Sequence, residues 1–348
     1  MKYHSMKIAE NVSLRGYNTF GINVMSKYFA SFSDAASLGE GMGFLSSAAG
    51  RSLPLLILGG GSNLLLTGDF AGLVLKNEIR GIELVDEDAD YVYVKAGAGE
   101  RWHGFVQYTL ERNWAGLENL SLIPGSVGAA PMQNIGAYGV EIKEVFYELE
   151  AWHIAEGKVY TFTLNDCEFG YRESVFKRRL RGQFVILSVT FQLRRTPRFH
   201  TEYGAIREEL EKMGVTDLSI SAISRAVINI RSAKLPDPAQ IGNAGSFFKN
   251  PTVTDDQFDT LQAEFPTIVG HNVPGTDMTK LAAGWLIEQC GWKGYRRGDA
   301  GCHGRQALVL VNYGNATGRE IYQLSEEILD SVQQKFGITL EREVNIIP

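Results

Sequence analysis

An α+β fold of more than one domain is what the sequence predicts, on three observations. Short runs rich in apolar, β-branched and aromatic residues end in glycine turns, as in Leu55–Asn63 and Tyr91–Gly99. Other segments carry apolar residues at helical spacing, most clearly Ile321, Leu324, Ile328, Val332 and Phe336. The 348 residues are also too many for a single core of ordinary size.

Taken in order, residues 14–31 open a first domain with Asn18-Thr19-Phe20-Gly21-Ile22. A helical stretch near 34–48 precedes an apolar strand over 55–58, which runs into Gly59-Gly60-Gly61-Ser62-Asn63. Leu73–Lys76 is a further strand candidate, giving a small α/β domain over roughly residues 1–78. Tyr91–Val94 reads as a strand ending at Gly97-Ala98-Gly99, and residues 101–113 set Trp102, Phe105, Val106, Thr109 and Leu110 on one helical face. Val145–Ile154 and Val185–Leu193 have strand composition. Residues 204–213 and 221–231 read as helices, the second with Ile223, Val227 and Ile230 in one stripe. Together these predict an α+β domain over roughly residues 79–229.

Beyond Lys234 the texture changes to loops marked by Pro236, Pro238, Gly242, Gly245 and Pro251. A helix is expected over 281–290, stopped by Gly291, and a buried strand over 308–312. Thr317 and Glu320 have the spacing of a capping box, and Gly337 closes the helix they open. In the tail Ile338, Leu340, Val344 and Ile346 take one direction, Glu341 and Glu343 the other. The third domain is α+β and runs over roughly residues 230–348, with a last strand that could pack back on the first domain.

Composition excludes several classes. Hydrophobic residues make up 44% and charged residues 21%, ordinary values for a globular chain. A net charge of −6 offers no basic field for nucleic acid, so an anionic ligand has to be held by local donors. Cys167, Cys290 and Cys302 are odd in number and widely spaced, which argues against a disulfide framework and a metal site and fits a reducing cytoplasm. The start, Met-Lys-Tyr-His-Ser-Met-Lys-Ile, lacks the apolar run of a signal peptide, and no segment approaches the ~18 apolar residues of a membrane span.

The stretch most suited to a ligand is residues 121–139, with Pro124, Gly125, Ser126, Gly128, Ala129, Gly136, Ala137, Tyr138 and Gly139. Its glycines and prolines cannot sustain a long helix or fill a core. It reads as consecutive tight turns, either an ordered structural loop or a backbone cradle whose amides converge on an anion. The turn at Gly59–Asn63, again at a strand end, favours the cradle. Neither is a dinucleotide fingerprint: Leu64 stands where a third glycine would be needed, and Gly97-Ala98-Gly99 fails at Trp102. No Walker motif occurs. A phosphate-bearing ligand held without a Rossmann or P-loop signature is the expectation.

With Tyr171-Arg172-Glu173-Ser174, Lys234–Pro238, Gly242–Pro251 and Leu340–Val344, these two turns resemble the UDP-N-acetylenolpyruvoylglucosamine reductase family, in order along nearly the whole chain. The resemblance implies a two-domain FAD-binding fold of the vanillyl-alcohol-oxidase type and a third, substrate-binding domain. It implies FAD held by Gly59, Gly60, Gly61, Ser62, Asn63 and the 124–139 residues named above, with the Asn18-Thr19-Phe20-Gly21 element opening the flavin site. NADPH is the implied reductant and UDP-N-acetylglucosamine enolpyruvate the substrate. Hydride reaches the terminal methylene carbon, charge develops as an enolate, and Ser246 protonates the neighbouring carbon, with Arg172 and Glu343 stabilising the intermediate. Tyr203, Lys234, Asn250 and Gln306 correspond to positions that hold the uridine diphosphate, and the Tyr203 segment resembles the branch with a tyrosine-bearing loop. The product, UDP-N-acetylmuramate, serves peptidoglycan synthesis. The expected protein is a monomer in the cytoplasm, with non-covalent FAD because no Cys or His flanks either glycine turn.

Read without the resemblance, the same residues are plainer. Ser246 is a turn or cap serine, with no G-x-S-x-G elbow or triad motif to make it a hydrolase nucleophile. Arg172 is either a solvated partner of Glu173 or a planar donor beside developing charge. Glu343 is a solvent-facing charge and Lys234 a surface lysine or a point charge for a diphosphate. Gly304-Arg305 blurs the match at Gln306, and His303 reads as structural rather than as a base. Two rivals remain at this level: another FAD-linked oxidoreductase of the same fold, which leaves Lys234 and Ser246 without a role, and a non-catalytic flavin-binding module.

Overall fold

A computed structural model describes residues 6–348. Residues 1–5, the start of the segment read above for its lack of an apolar run, lie outside the described residues. The chain divides into two compact units. The first takes residues up to 12, 26–61 and 71–233; the second takes 13–25, 62–70 and 234–348. Much of the ranges 1–78 and 79–229 thus falls in the first unit, while 13–25 and 62–70 join the C-terminal range.

The first unit carries two sheets. A four-stranded sheet has the order Ala9–Ser13, Met25–Phe32, Phe70–Asn77, Leu55–Leu58, with the last two strands parallel from Leu55 beside Leu73 to Leu58 beside Lys76. The helix Ala35–Ser46 covers it and buries Leu38 against Leu73, Leu75 and Phe32. Asp34 starts that helix: its carboxylate accepts the Ser37 amide at 2.7 Å, filling one of the orphan donors of the first turn.

The five-stranded sheet is antiparallel, in the order Lys158–Thr163, Phe146–His153, Phe184–Arg194, Tyr91–Gly97, Ile82–Glu87. Its central strand Phe184–Arg194 is buried along most of its length, as its β-branched and aromatic run requires. The helix Trp102–Leu110 lays Trp102, Phe105 and Val106 into this core, with the Trp102 ring 5.8 Å from Phe191. A third cluster joins the helices Gly204–Lys212 and Ile220–Lys234 through Ile206, Ile223, Val227 and Ile230.

The second unit holds a four-stranded sheet ordered Gly242–Asn243, Leu310–Asn312, Ala300–Cys302, Arg296–Arg297, and a three-stranded sheet ordered Thr252–Thr254, Met278–Leu281, Gly270–Asn272. The last strand, Asn345–Ile347, pairs in parallel with Leu64–Leu66. The helix Gly318–Phe336 buries Ile321, Leu324, Ile328, Val332 and Phe336 on one face and ends on Gly337 at φ 67°. Its capping box is closed: the Glu320 amide donates to Thr317 Oγ1 at 3.2 Å, and the Thr317 amide donates to Glu320 Oε2 at 2.7 Å. Thr317→Ala removes one half of that exchange and is expected to lower unfolding stability by about 1 kcal/mol, read as a shift in the denaturant midpoint. An unshifted midpoint contradicts that role for the cap.

Two elements differ from the sequence expectation. Leu281 ends a strand, because its amide donates to Pro251 O at 2.8 Å, and the helix occupies only Ala283–Gln289. The strand expected over 308–312 is confined to Leu310–Asn312, since residues 306–309 form a turn closed by Val309 N to Gln306 O. Among the described residues no helix is long and apolar enough to cross a membrane.

Candidate active site

In the first unit the two glycine turns pack on one another. A Cβ on Gly60 would stand 2.7 Å from Gly125 Cα, and one on Gly59 would stand 2.5 Å from Ser126 Oγ. Only glycine permits that approach of backbone to backbone. Gly61 sits at φ 64° and Gly125 at φ 117°, both in the region that side chains avoid. The Gly97–Gly99 turn lies against the same loop, with Gly128 N donating to Ala98 O and Val127 N to Glu100 O, each at 2.9 Å. Among the described residues the amides of Gly60, Gly125 and Ser126 enter no backbone hydrogen bond. Closely approaching glycine turns whose amides are not taken up by backbone carbonyls suit the diphosphate of FAD, so the residues present fit that cofactor.

Residues 127–133 form single turns of 3-10 helix, after which Asn134 (φ 44°) and Tyr138 (φ 51°) turn left-handed. Asn134 is fully buried; its amide donates to Glu141 Oε2 at 2.9 Å and Gly170 O at 3.0 Å. That second bond ties the loop to the segment bearing Arg172. Arg172, itself left-handed at φ 54°, donates from Nη2 to Gly136 O at 2.6 Å and lies 3.9 Å from Glu141 Oε1. It is therefore half-buried and engaged with the glycine loop, more than the solvated arginine of the plain reading.

Tyr138 is the hub of a polar group that sequence reasoning saw only in part. Its phenol lies within electrostatic reach of the Arg231 side chain, and its ring meets Tyr203 edge-on at 5.6 Å. Burial pushes the Tyr138 phenol above its usual range and draws the Arg231 guanidinium below its own. Arg231 Nε is buried without a partner. Burial also lowers His103, with Arg231 adding to the effect, and raises Glu118, whose carboxylate accepts the Gly116 amide at 2.7 Å. Arg231 had one readable sign: it follows Val227 by four residues and so falls on the apolar stripe of its helix, where a charge needs a reason.

In the second unit the Ser246 segment is one half of a backbone pairing. Glu343 N donates to Phe247 O and Lys249 N to Glu341 O, each at 2.8 Å, which sets Ser246 and Glu343 on neighbouring segments. Phe247 and Phe248 are buried and anchor the turn from below; Ser246 and Glu343 are half-buried. Gly245, at φ 72°, makes the bend that delivers the serine. The Asn63 side chain donates to Glu343 O at 3.3 Å and Asn63 O accepts from Asn345, so Asn63 holds the terminal strand.

Asn250 Oδ1 accepts the Ala283 amide at 3.0 Å and so starts the short helix that follows. Gln306 is half-buried, and its Oε1 accepts the Leu308 amide at 3.3 Å. Lys234, the last residue of its helix, is exposed, as is Tyr203. His303 is buried with Nδ1 unpartnered, and burial lowers its pKa. Among the described residues no cluster suited to a metal ion occurs.

Residues 36–163 match the FAD binding domain family, and residues 237–347 match the C-terminal domain of UDP-N-acetylenolpyruvoylglucosamine reductase. The chain is 52% identical over 338 residues to the UDP-N-acetylenolpyruvoylglucosamine reductase of Pseudomonas putida, covering 97% of this chain and 98% of that protein. It is 50% identical over 343 residues to the enzyme of that name from Pseudomonas aeruginosa, covering 98% and 99%. The Amoebophilus asiaticus enzyme of the same name is 49% identical over 342 residues, 98% of this chain and 100% of that one. The crystal structure of the reductase from Thermus caldophilus shares the fold, with a TM-score of 0.69 at 24% identity over 99% of this chain and 100% of that chain. On these near-full-length identities and the two domains matched in order, the chain belongs to the UDP-N-acetylenolpyruvoylglucosamine reductase family of FAD-dependent oxidoreductases.

Proposed function

We propose that this chain reduces UDP-N-acetylglucosamine enolpyruvate to UDP-N-acetylmuramate at the expense of NADPH, with the roles divided among its own residues as follows. The glycine turns, through Gly59–Gly61 and through Pro124, Gly125, Ser126, Gly128 and Ala129, with Ser62, Asn63 and Gly136–Gly139, hold FAD, which when bound supplies hydride-transfer chemistry. Arg172 carries a permanent, planar positive charge toward the enolate that develops on the substrate, where such charge is most effective. Ser246 gives a proton to the carbon next to the carboxylate, and Glu343 helps set the charge around it. The observation that carries this assignment is the backbone pairing of Phe247 with Glu343, which makes the two residues neighbours through a rigid segment.

Lys234, Tyr203, Asn250 and Gln306 take the uridine diphosphate. On this reading residues 1–78 and 79–229 form the two flavin-binding domains and 230–348 the substrate domain. The enzyme works as a monomer in the cytoplasm, where its sugar-nucleotide substrate and NADPH are found together and its three free thiols stay reduced. FAD is bound without a covalent link, so acid precipitation should leave the yellow colour in the supernatant; colour in the pellet contradicts this.

Steady-state NADPH consumption that depends on the enolpyruvyl sugar nucleotide tests the reading. NADPH consumption indifferent to that substrate would favour another oxidoreductase of the fold. Lys234→Ala should weaken binding of the sugar nucleotide to the oxidised enzyme by about 1.5–3 kcal/mol, the loss of one charge-assisted contact, or about 10- to 150-fold in Kd. An unchanged Kd would remove Lys234 from the site.

A further inference from the structure

We propose that Glu141 is a positioning residue for Arg172, which it aims from the glycine loop itself; the inference rests on the role proposed above for Arg172. Glu141 closes the two-residue strand Val140–Glu141, which pairs antiparallel with Gly136–Ala137. Gly136 and Glu141 stand opposite each other in that pair, and each addresses one end of the same guanidinium. Gly136 O accepts Arg172 Nη2 at 2.6 Å, and Glu141 Oε1 lies 3.9 Å from Arg172 Nη1. The two charged side chains are only 17% and 22% exposed, so water screens their attraction less than on an open surface. A Cβ on Gly136 would stand 2.8 Å from Glu141 Cγ and 3.1 Å from Arg172 Nη1, so the glycine is what lets both side chains lie against the loop.

The carboxylate is itself fixed from behind. Its other oxygen, Oε2, accepts Asn134 Nδ2 at 2.9 Å and lies 3.0 Å from Lys143 Nζ. Asn134 is fully buried and cannot turn away: it also donates to Gly170 O at 3.0 Å, and its Oδ1 accepts the Lys143 amide at 3.2 Å. With Oε2 engaged on that side, Oε1 is kept toward Arg172. An arginine has a long, flexible stem, and ordering it during the reaction would oppose catalysis. A guanidinium already held when charge develops stabilises that charge without reorganisation. The same loop that carries the proposed flavin residues therefore sets the direction of the arginine.

A double-mutant cycle on the full-length enzyme with bound FAD tests this. The flavin is reduced with NADPH without oxygen, UDP-N-acetylglucosamine enolpyruvate is added, and the rate of flavin reoxidation is read. Glu141→Gln keeps the size of the side chain and an oxygen for Asn134, and removes the charge. It should slow reoxidation about 10- to 100-fold, the scale of a small misplacement at a reacting centre. Flavin reduction by NADPH should stay near the parent rate. Arg172→Ala should slow reoxidation at least as much, and Glu141→Gln added to it should bring no further loss. A glutamate that merely supports the loop slows both half-reactions, or adds its loss to that of Arg172→Ala, and each of these results overturns the proposal. So does an unchanged reoxidation rate in Glu141→Gln. If Glu141→Gln releases FAD, Glu141→Asp takes its place in the cycle, since it keeps the charge but draws it back by one carbon; additivity there overturns the proposal as well. If Arg172→Ala reoxidises at the parent rate, the role of Arg172 fails and this inference with it. Failure of the family reading is separate, since it appears as a parent protein whose reduced flavin does not respond to the sugar nucleotide at all.

Discussion

Ser246→Ala is expected to slow transfer of reducing equivalents to the enolpyruvyl sugar nucleotide by about 10²–10⁴-fold or more, while reduction by NADPH stays near the parent rate. The asymmetry follows from when the proton is needed. On the proposed role of Ser246, protonation of the substrate carbon comes after hydride has reached its neighbour, so the first half-reaction has no use for the hydroxyl. The structure makes the variant a clean one. Phe247 is pinned on both sides, by Phe247 N to Leu308 O and by Glu343 N to Phe247 O, so the backbone does not depend on the Ser246 side chain. Ser246→Cys should retain more activity than alanine, because a thiol also donates a proton. Stopped-flow absorbance separates the halves. Equal slowing of both assigns Ser246 a structural or flavin-binding role, and slowing of neither moves the donor to Glu343 or to water.

Gly60→Ala is expected to yield protein that has lost most of its FAD. The added Cβ would lie 2.7 Å from Gly125 Cα and 3.0 Å from Gly125 C, so it strikes backbone on both counts and no flexible side-chain end can move aside. The two turns have to separate, and with them the amides of Gly60, Gly125 and Ser126. Gly182→Ala is the matched control, at a glycine outside both turns: it sits at φ 74° with nothing within 4 Å of the added carbon, so it brings local strain of only about 1–2 kcal/mol and leaves the turns together. The ratio of flavin to protein absorbance after purification reads both. A fully loaded Gly60→Ala enzyme would show that the close approach of the turns is dispensable for the cofactor.

Much of this was legible in the sequence where the signal is local. The helix Gly318–Phe336 carries its start in Thr317 and Glu320, its face in five apolar residues, and its end in Gly337, all within one stretch. The glycine turns announce close backbone approach, although not that they approach each other. What stayed hidden depends on partners far along the chain. That the last strand could pack back on residues 1–78 was readable from the tail, but its partner, residues 64–66, was not, because nothing near Leu64 marks it. Leu281 looks like the first turn of a helix until Pro251 O takes its amide. Glu141 resembles any surface glutamate; its weight comes from the Arg172 guanidinium, which only the folded chain brings to it. Glu343 has the alternation of a solvent-facing strand residue, and its place beside the Ser246 segment is a tertiary fact.

If the chain passes electrons from NADPH to an enolpyruvyl sugar nucleotide, a single turnover without oxygen will show it. Pure protein is titrated with NADPH until its yellow absorbance is gone, and UDP-N-acetylglucosamine enolpyruvate is then added. The absorbance should return in proportion to the substrate added, one equivalent per flavin, with UDP-N-acetylmuramate as the product. Protein that stays bleached until air is admitted would contradict it.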